Sequence, residues 1–313
     1  MSAHRVHRPT EPISIEDFDE LYGRLKRWSE WSKLGRGAWN RLGPEHVLAA
    51  AKLVRSGRVI STALPWATKA AIDNPKPALH FMTDLGDVEQ PEPSTHKDFL
   101  GIDYHGKSST HLDALAHIAY HGELFGGVIA KDVVGASGST HGSVAELGGY
   151  VGRGVLLDMP VVSDERWLEP GQAVYAEDIL AAEDRLGFSI GEADAVLLRT
   201  GHKRRRTELA PWDSSDLSAG LHASSMELLA DRKISLLGSD GDSDVRPSPV
   251  PGVHSPVHIL ALTALGVPLL DNLDLELLSA AAADEQRYEF LFTVQPLNVE
   301  TGTGSPVNPL AVF

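Results

Sequence analysis

The 313-residue sequence contains no cysteine. Disulfide bonds, thiolate nucleophiles and cysteine-ligated zinc or iron–sulfur centres are therefore excluded. Any metal ion must be bound by His, Asp or Glu side chains. Hydrophobic residues make up 42% and charged residues 23% of the chain, close to the globular average, so we expect a folded protein with a sizeable core.

The sequence also lacks an excess of positive charge and a long apolar run. Asp and Glu outnumber Lys and Arg by 43 to 28, and the formal charge of -15 repels nucleic acids and anionic lipids. The basic run Lys203–Arg206 is short, and we predict a solvated loop there. The longest apolar run, Ile259–Leu270, is too short to span a membrane. These features predict a cytoplasmic protein with no nucleic-acid partner and no membrane contact.

Helical and strand-like segments alternate along most of the chain. The runs that predict strands buried on both faces are residues 154–158 (GVLLD), 195–199 (AVLLR), 234–240 (ISLLGSD) and 267–273 (VPLLDNL). The runs that predict helices are residues 15–32, 44–57, 176–188, 224–233 and 255–266. This alternation predicts an α/β protein. Residues 1–30 are predicted to form an N-terminal extension with a helix, and residues 31–313 the main domain.

The segment Asp103–His117 (DYHGKSSTHLDALAH) concentrates three histidines and two aspartates in fifteen residues. In an extended segment, His111 and Asp113 project from the same side and can meet one divalent cation. If a helix begins near Asp113, His117 lies on the same face and can carry a proton. Surface histidines with Asp113 as a helix N-cap are an alternative that the residues alone leave open.

The stretch Thr110–His117 (THLDALAH) resembles the H-x-G-T-H-x-D-x-x-x-H signature of the cyclase family, which includes kynurenine formamidases and isatin hydrolase. Further family-like stretches occur in the family's order at residues 34–45, 153–158, 197–201, 238–240, 258–272 and 303–306. The resemblance implies a swivelling β/β/α-type single domain with a mixed sheet and surrounding helices. It also implies a divalent cofactor, Zn²⁺ or Mn²⁺, a small-molecule substrate, and a homodimer or homotetramer.

One histidine of the family signature has no counterpart in this chain. His111 and Asp113 match the second His and the Asp, which bind metal in the family, and His117 matches the last His, which acts near the substrate. The first His is replaced by Lys107, so the resemblance implies either a rearranged metal site or a site without metal. His105, displaced from that position by two residues or ~6–7 Å of extended chain, is the nearest replacement, and we predict a catalytic or ligating role for it.

The resemblance implies that the second half of the site comes from the C-terminal third. His258 matches a family metal ligand, and Asp271 stands near the position where the family has Glu. An alternative for His258 is a helix-start histidine that makes a cap contact. His222, Asp240 and Lys107 are candidates for substrate contacts, whereas Asp242 and Asp244 are interpreted as turn acids because the remaining ligands of a calcium loop are absent.

These features predict a metal-dependent hydrolase of a small amide, imide, ester or lactone, of an arylformamidase-like or lactone or cyclic-amide hydrolase type. The expected mechanism is activation of a water by the cation, with His117 as the proton shuttle. A serine hydrolase is disfavoured because no G-x-S-x-G motif occurs. The main alternative is a cyclase-like protein that lacks metal and binds a small ligand without hydrolysing it, because Lys107 replaces a ligand.

Overall fold

A mixed sheet with nine strands forms the centre of the described part of the chain. The computed structural model describes residues 10–313; the first nine residues of the predicted N-terminal extension lie outside the described residues. The strands are β1 (Val59–Ser61), β2 (Leu79–Asp84), β3 (Lys97–Gly101), β4 (His111–Asp113), β5 (Glu123–Leu124), β6 (Val128–Ile129), β7 (Val134–Gly135), β8 (Gly138–Ser139), β9 (Tyr150–Asp158), β10 (Ala173–Val174), β11 (Ala195–Arg199), β12 (Gly220–Leu221), β13 (Leu236–Ser239), β14 (Leu269–Asp271), β15 (Glu289–Val294), β16 (Gly304–Pro306) and β17 (Leu310–Val312).

The helices cover this sheet. They are α1 (Ile15–Leu25), α2 (Pro44–Ala51), α3 (Ala130–Val133), α4 (Val144–Leu147), α5 (Met159–Ser163), α6 (Ala176–Leu186), α7 (His202–Leu209), α8 (Ser225–Asp231), α9 (Pro256–His258) and α10 (Glu276–Asp284), together with a 3₁₀-helical segment at Leu34–Arg41 and a π-helical segment at Ile259–Leu265 that continues α9. The predicted α/β fold, a single domain with a mixed sheet and surrounding helices, is confirmed.

The order of strands in the large sheet is β1-β17-β15-β9-β11-β13-β14-β4-β16. Its middle strands, β9, β11, β13 and β14, are parallel, whereas β4 pairs antiparallel with both β14 and β16. Every residue of β11 and β13 is buried, as expected for a parallel sheet with both faces covered. The four continuous apolar runs of the sequence therefore form the core of this sheet.

In helix α1, the N-cap residue and the spacing of apolar residues determine where the helix begins and which side chains are buried. Ser14 precedes the helix and its hydroxyl accepts a hydrogen bond from the backbone N–H of Asp17, which satisfies one of the unpaired donors of the first turn. Phe18, Leu21 and Tyr22 follow at helical spacing and are buried. The N-terminal helix therefore packs on the same core as the sheet.

Two local predictions were wrong. The basic run Lys203–Arg206 lies within helix α7, and its side chains pair with acidic partners, among them Asp73, Glu169 and Asp274. A loop was predicted because the run is short and is followed by Glu208, whereas long-range ion pairs hold these side chains on a helix. The chain after Asp113 forms a turn and not a helix, with the N–H of His117 donating to the carbonyl of Ala114 at 3.0 Å.

Among residues 10–313, no helix is both long and apolar enough to cross a membrane.

Candidate metal and catalytic centre

Strand β4 places the two central residues of the candidate site. It is only three residues long, so His111 and Asp113 project to one side while Leu112 between them points into the core and is fully buried. The register with β14 sets His111 opposite Asp271. The sheet therefore joins the histidine-rich segment to a carboxylate that lies about half of the chain away in sequence.

The loop before β4 is fixed by the residue that follows β14. Asn272 has a positive φ of 56°, which turns its side-chain amide toward the loop, where it donates to the carbonyls of Gly106 at 2.8 Å and Ser109 at 3.2 Å. Thr110 in turn donates its hydroxyl hydrogen to the Asn272 carbonyl at 2.5 Å. The segment that carries His105 and Lys107 is thereby held against the sheet.

His105, His111 and Asp113 converge, and their ligand atoms all lie within 4.8 Å of one another. The Nδ1 atom of His105 lies 2.8 Å from Asp113 Oδ1, and the Nε2 atom of His111 lies 3.4 Å from the same oxygen. The remaining nitrogen of each ring is engaged elsewhere, with Thr303 Oγ1 at 3.2 Å for His105 and the Ser109 carbonyl at 2.8 Å for His111. Such outer contacts orient histidines that bind metals.

Asp113 is the most unusual group of the site. Its side chain is buried, and within residues 10–313 neither of its oxygens takes part in an aligned hydrogen bond, nor does the nearby Nδ1 of His105. Burial alone would raise the pKa of Asp113, but the nearby His111, His117 and His105 outweigh burial and hold the pKa below its usual range. A buried carboxylate without hydrogen bonds is costly. Because the unpartnered atoms are nitrogen and oxygen donors that face one point, they fit a divalent cation.

His258 and Asp271 form a second group on the other side of Asp113. The Nε2 atom of His258 lies 3.2 Å from Asp271 Oδ2 and 3.7 Å from Asp113 Oδ2. Its Nδ1 atom lies 2.5 Å from Asp244 Oδ2. Burial favours the neutral ring, but Asp271, Asp242 and Asp244 outweigh burial and raise the pKa of His258 well above 6.5. A cation bound here must therefore compete with a proton on the ring.

His117 lies beside these groups without joining the first one. Its ring stacks on that of His105, with centroids 3.9 Å apart and planes 5° apart, and its Nε2 atom lies 3.7 Å from Asp113 Oδ2. Burial is the main cause that lowers the pKa of His117 to about 4, and His105 adds to it while Asp113 opposes it. The ring is therefore neutral at pH 7 and is able to accept a proton.

Lys107 pairs with Asp242 and makes no ion pair with Asp113. Its ammonium contacts the buried Asp242, which also accepts a hydrogen bond from Nε of Arg246 at 2.7 Å. The missing family histidine is therefore not replaced by a cation beside Asp113, since His105 occupies the space there.

The sequence profile of the family named Cyclase matches residues 46–243, which is more than half of the chain. The chain belongs to the cyclase family. The matched part includes the segment from His105 to His117, whereas His258 and Asp271 lie beyond it. A search of curated proteins found no match.

Solved structures of similar fold agree with this family. A protein described as a novel cyclase is 26% identical, with a TM-score of 0.83 over 93% of this chain and 99% of that chain. An isatin hydrolase bound to the product analogue thioisatinate is 21% identical, with a TM-score of 0.57 over 86% of this chain and 98% of that chain. A predicted metal-dependent hydrolase from Bacillus stearothermophilus is 19% identical, with a TM-score of 0.50 over 81% and 97%. At the two lower identities, the likeness concerns the fold.

Asp240 and His222, two of the residues predicted to contact the substrate, lie outside the cluster of His105, His111 and Asp113. Asp240 accepts hydrogen bonds from the backbone N–H groups of Thr200, Gly201 and His202 and from the Thr200 hydroxyl, at 2.8 to 3.0 Å. His222 stacks on Tyr175, and its Nε2 atom lies 2.8 Å from the carbonyl of Glu11. In the structure, Asp240 thus holds the start of α7, and a substrate contact of either residue stays a prediction.

Sequence reasoning missed the role of Asp244 and Asp242. Asp244 caps α9 by accepting from the backbone N–H of Val257 at 2.6 Å, and the same carboxylate contacts the His258 ring. The segment GSDGDSD holds three aspartates after a buried strand, and that density was the signal available. It was interpreted as a turn because the partner histidine lies on another element, which sequence spacing does not reveal.

A cavity of about 390 Å³ adjoins the site at His105. His105, Lys107 and Ser108 line it together with residues that include Ile72, Asn74 and Pro75. The volume lies within the range of small-molecule pockets, about 300–1,000 Å³. A small substrate can therefore reach the histidine cluster from this side.

Proposed function

We propose that this cyclase-family protein is a metal-dependent hydrolase of a small amide, imide, ester or lactone. The observation that carries the proposal is the buried Asp113, whose unpartnered oxygens face the imidazole nitrogens of His105 and His111. The description of one neighbouring structure as an isatin hydrolase and of another as a predicted metal-dependent hydrolase supports the reaction class.

His105, His111 and Asp113 would hold the divalent cation, either Zn²⁺ or Mn²⁺, and His258 with Asp271 would contribute a second group of donors across Asp113. When bound, a cation of this kind polarises a carbonyl group and lowers the pKa of water. The protein's own residues supply the remainder of the chemistry. Thr303 and the Ser109 carbonyl fix the ring orientations, and Asp113 brings negative charge to the ligand set.

His117 is the proposed general base and acid. Its Nε2 atom faces Asp113, and the ring is neutral at pH 7 because burial lowers its pKa to about 4. A neutral imidazole at the mouth of the cluster can accept a proton from water and return it to the leaving nitrogen or oxygen. The side chain is about one quarter exposed, and its ring stacks on that of His105, which lines the cavity.

The test combines metal content with hydrolysis. After incubation with Zn²⁺ or Mn²⁺ and dialysis, we expect about one equivalent of metal or more per chain and turnover of at least one member of a panel of formamides, cyclic imides, esters and lactones. Retained metal below about a tenth of an equivalent, together with saturable binding of panel compounds that stay intact, would instead support the metal-free binding protein suggested by Lys107.

Two variants separate these outcomes further. His105→Ala should weaken metal affinity markedly because it removes a donor beside Asp113. Lys107→His should leave the affinity unchanged or raise it, because Lys107 contacts Asp242 and not Asp113. If His105→Ala leaves the affinity unchanged while Lys107→His creates binding that the parent lacks, the parent chain holds no metal at this site.

A further inference from the structure

A second cavity adjoins the cavity at His105. Its volume is about 260 Å³, and it shares Lys107 and Ser108 with the first cavity. One wall is formed by the segment Leu64–Ala67, including the partly exposed ring of Trp66, and another wall is formed by helix α7. The volume is below the usual range of about 300–1,000 Å³ for drug-sized ligands, so the cavity suits one small group of a larger molecule.

Cationic side chains outnumber carboxylates among the described residues that line this second cavity. Among the described residues that line it, Lys107, Lys203 and Arg206 are cationic, and Asp240 is the carboxylate. The Asp240 oxygens accept four hydrogen bonds from Thr200, Gly201 and His202. The carboxylate of this lining is therefore engaged by the start of α7, and the three cations are the other charged residues of the described lining.

Each of the three cations has an acidic partner, and the partner of Lys107 is shared with a further cation. Lys203 pairs with Asp274 and Arg206 pairs with Asp73. Lys107 shares its partner, Asp242, with Arg246, so two cations meet one buried carboxylate. An ammonium also has three N–H donors, and an ion pair with one carboxylate oxygen leaves donors available for a ligand.

We propose that the second cavity is an anion subsite that binds a carboxylate group of the substrate. Lys107 and Lys203 bind the carboxylate, and the ring of Trp66 contacts the apolar part that joins it to the bond hydrolysed beside His105. The substrate class is then a small amide, imide, ester or lactone that carries a carboxylate. The reactive group lies in the first cavity and the anion in the second, with Lys107 at their junction. This assignment rests on the proposed function for what is hydrolysed, whereas the binding of the anion does not.

The test measures anion binding without metal, so that it is independent of hydrolysis. Benzoate and benzamide are titrated into the full chain in the presence of a chelator, and affinity is followed by calorimetry or ligand NMR. The two probes share a ring and nearly the same shape but differ in charge. We expect benzoate to bind about 10-fold to 100-fold more tightly, the range for hydrogen bonds to a charged group, and added salt to reduce the difference.

Variants assign the preference to residues. Lys203→Met and Lys107→Met should each reduce the preference for benzoate to within about threefold of unity, whereas Lys203→Arg should retain most of it because the charge is kept. Lys131→Met is the matched control, since it removes the same charge from the short helix α3, at a residue that is exposed and does not line the cavity. It should leave the preference unchanged.

Three results would overturn the anion subsite: equal affinity for the two probes in the parent, no binding of either probe at millimolar concentration, or an unchanged preference in both methionine variants. Circular dichroism of each variant shows whether it is folded, and Lys107→Met decides if Lys203→Met is not. A chain that binds benzoate selectively but retains no metal and hydrolyses nothing would contradict the proposed function and leave the anion subsite in place.

Discussion

Asp113 and Asp158 are both fully buried, and each ends a strand of the same sheet, yet their surroundings are opposite. Asp158 accepts a hydrogen bond from Arg199 Nη1 at 2.6 Å and from the Ser279 hydroxyl at 2.5 Å. Asp113 faces imidazole nitrogens without an aligned hydrogen bond from any described residue. Burial and charge are shared, and the difference lies in the partners.

This difference separates a structural carboxylate from a candidate ligand. The Arg199 guanidinium, itself buried, contacts Asp158 on one side and Glu276 on the other, and Arg204 also pairs with Glu276, so two cations balance the two carboxylates of this network. Around Asp113 the groups that favour the negative charge are imidazoles, which are also ligands for a divalent cation, and no guanidinium or hydroxyl group is paired with it among the described residues. In the sequence, Asp158 ends an apolar run, whereas Asp113 lies in a segment rich in histidine, and neither pattern shows which partners surround the carboxylate.

The same substitution at both positions should give opposite results, and the largest effect is expected at Asp113. Asp113→Asn removes the negative charge of the ligand set, so we expect loss of the bound metal and of detectable hydrolysis. The metal-free variant should lose less stability relative to the metal-free parent than Asp158→Asn does, because Asp113 has no aligned hydrogen bond among the described residues and only its charge interactions with the histidines are removed. Metal analysis, an activity assay and urea unfolding measure the three quantities. Retention of metal with full activity would remove Asp113 from the site.

His117→Asn should have the next largest effect, which we expect on turnover and not on metal binding. The asparagine keeps a polar group near Asp113 but cannot exchange a proton at pH 7, so turnover should fall by ~10²- to 10⁴-fold. Metal content should stay near that of the parent because His117 lies outside the group of His105, His111 and Asp113. If the variant loses its metal, His117 is a ligand and the general base must be sought elsewhere.

Asp158→Asn should lower stability and leave metal binding intact. The change leaves Arg199 buried with Glu276 as its remaining partner, and we expect unfolding to become easier by about 3 kcal/mol, the lower end of the range for breaking a buried ion pair. Asp164→Asn is the control, since Asp164 pairs with Arg185 in an exposed position. Its loss should cost less than about 1 kcal/mol. Equal losses in the two variants would mean that burial of the Asp158 pair contributes nothing extra.

Much of the fold could be predicted from the sequence, because apolar runs of strand length report burial directly. Residues 154–158 and 195–199 form β9 and β11 as expected. The helix at residues 44–57 was predicted too long, since helix α2 ends at Ala51. The pairing of β4 with β14 was not predictable, because register depends on contacts between residues far apart in sequence.

The site was predictable to the extent that its residues lie close together in sequence. That His111 and Asp113 lie on one side of the chain follows from the alternation of side chains along a strand. The positions of His105 and Lys107 depend on the loop held by Asn272 and on the distant Asp242, so spacing alone left their roles open. The roles of these residues in catalysis stay predictions until variants are measured.

His202 extends the comparison to a partly buried group that the protein keeps uncharged. Its ring contacts that of Trp212 in a tilted arrangement, with centroids 4.5 Å apart, and desolvation of the ring is the main cause that lowers its pKa from 6.5 to about 4. Other charges act on it in both directions, namely Asp73 and Asp242, which raise the pKa, and Arg206 and Arg205, which lower it. The folded chain therefore resists protonation of His202 more than the unfolded chain does.

The sign of the pH effect follows from this difference. Between pH 6.5 and about 4 the unfolded state binds the proton and the folded state does not, so the contribution of His202 to stability is present above pH 6.5 and is lost as the pH falls toward 4. Between pH 7 and pH 5 we expect His202→Gln, which cannot titrate, to lose about 1–2 kcal/mol less than the parent. Urea unfolding of both proteins at the two pH values measures the difference.

His117 and His254, whose pKa values are also lowered, remain in both proteins and cancel in the comparison. An identical loss in parent and variant would mean that His202 is protonated without cost in the folded chain, and that its burial, unlike that of Asp158, has no electrostatic consequence.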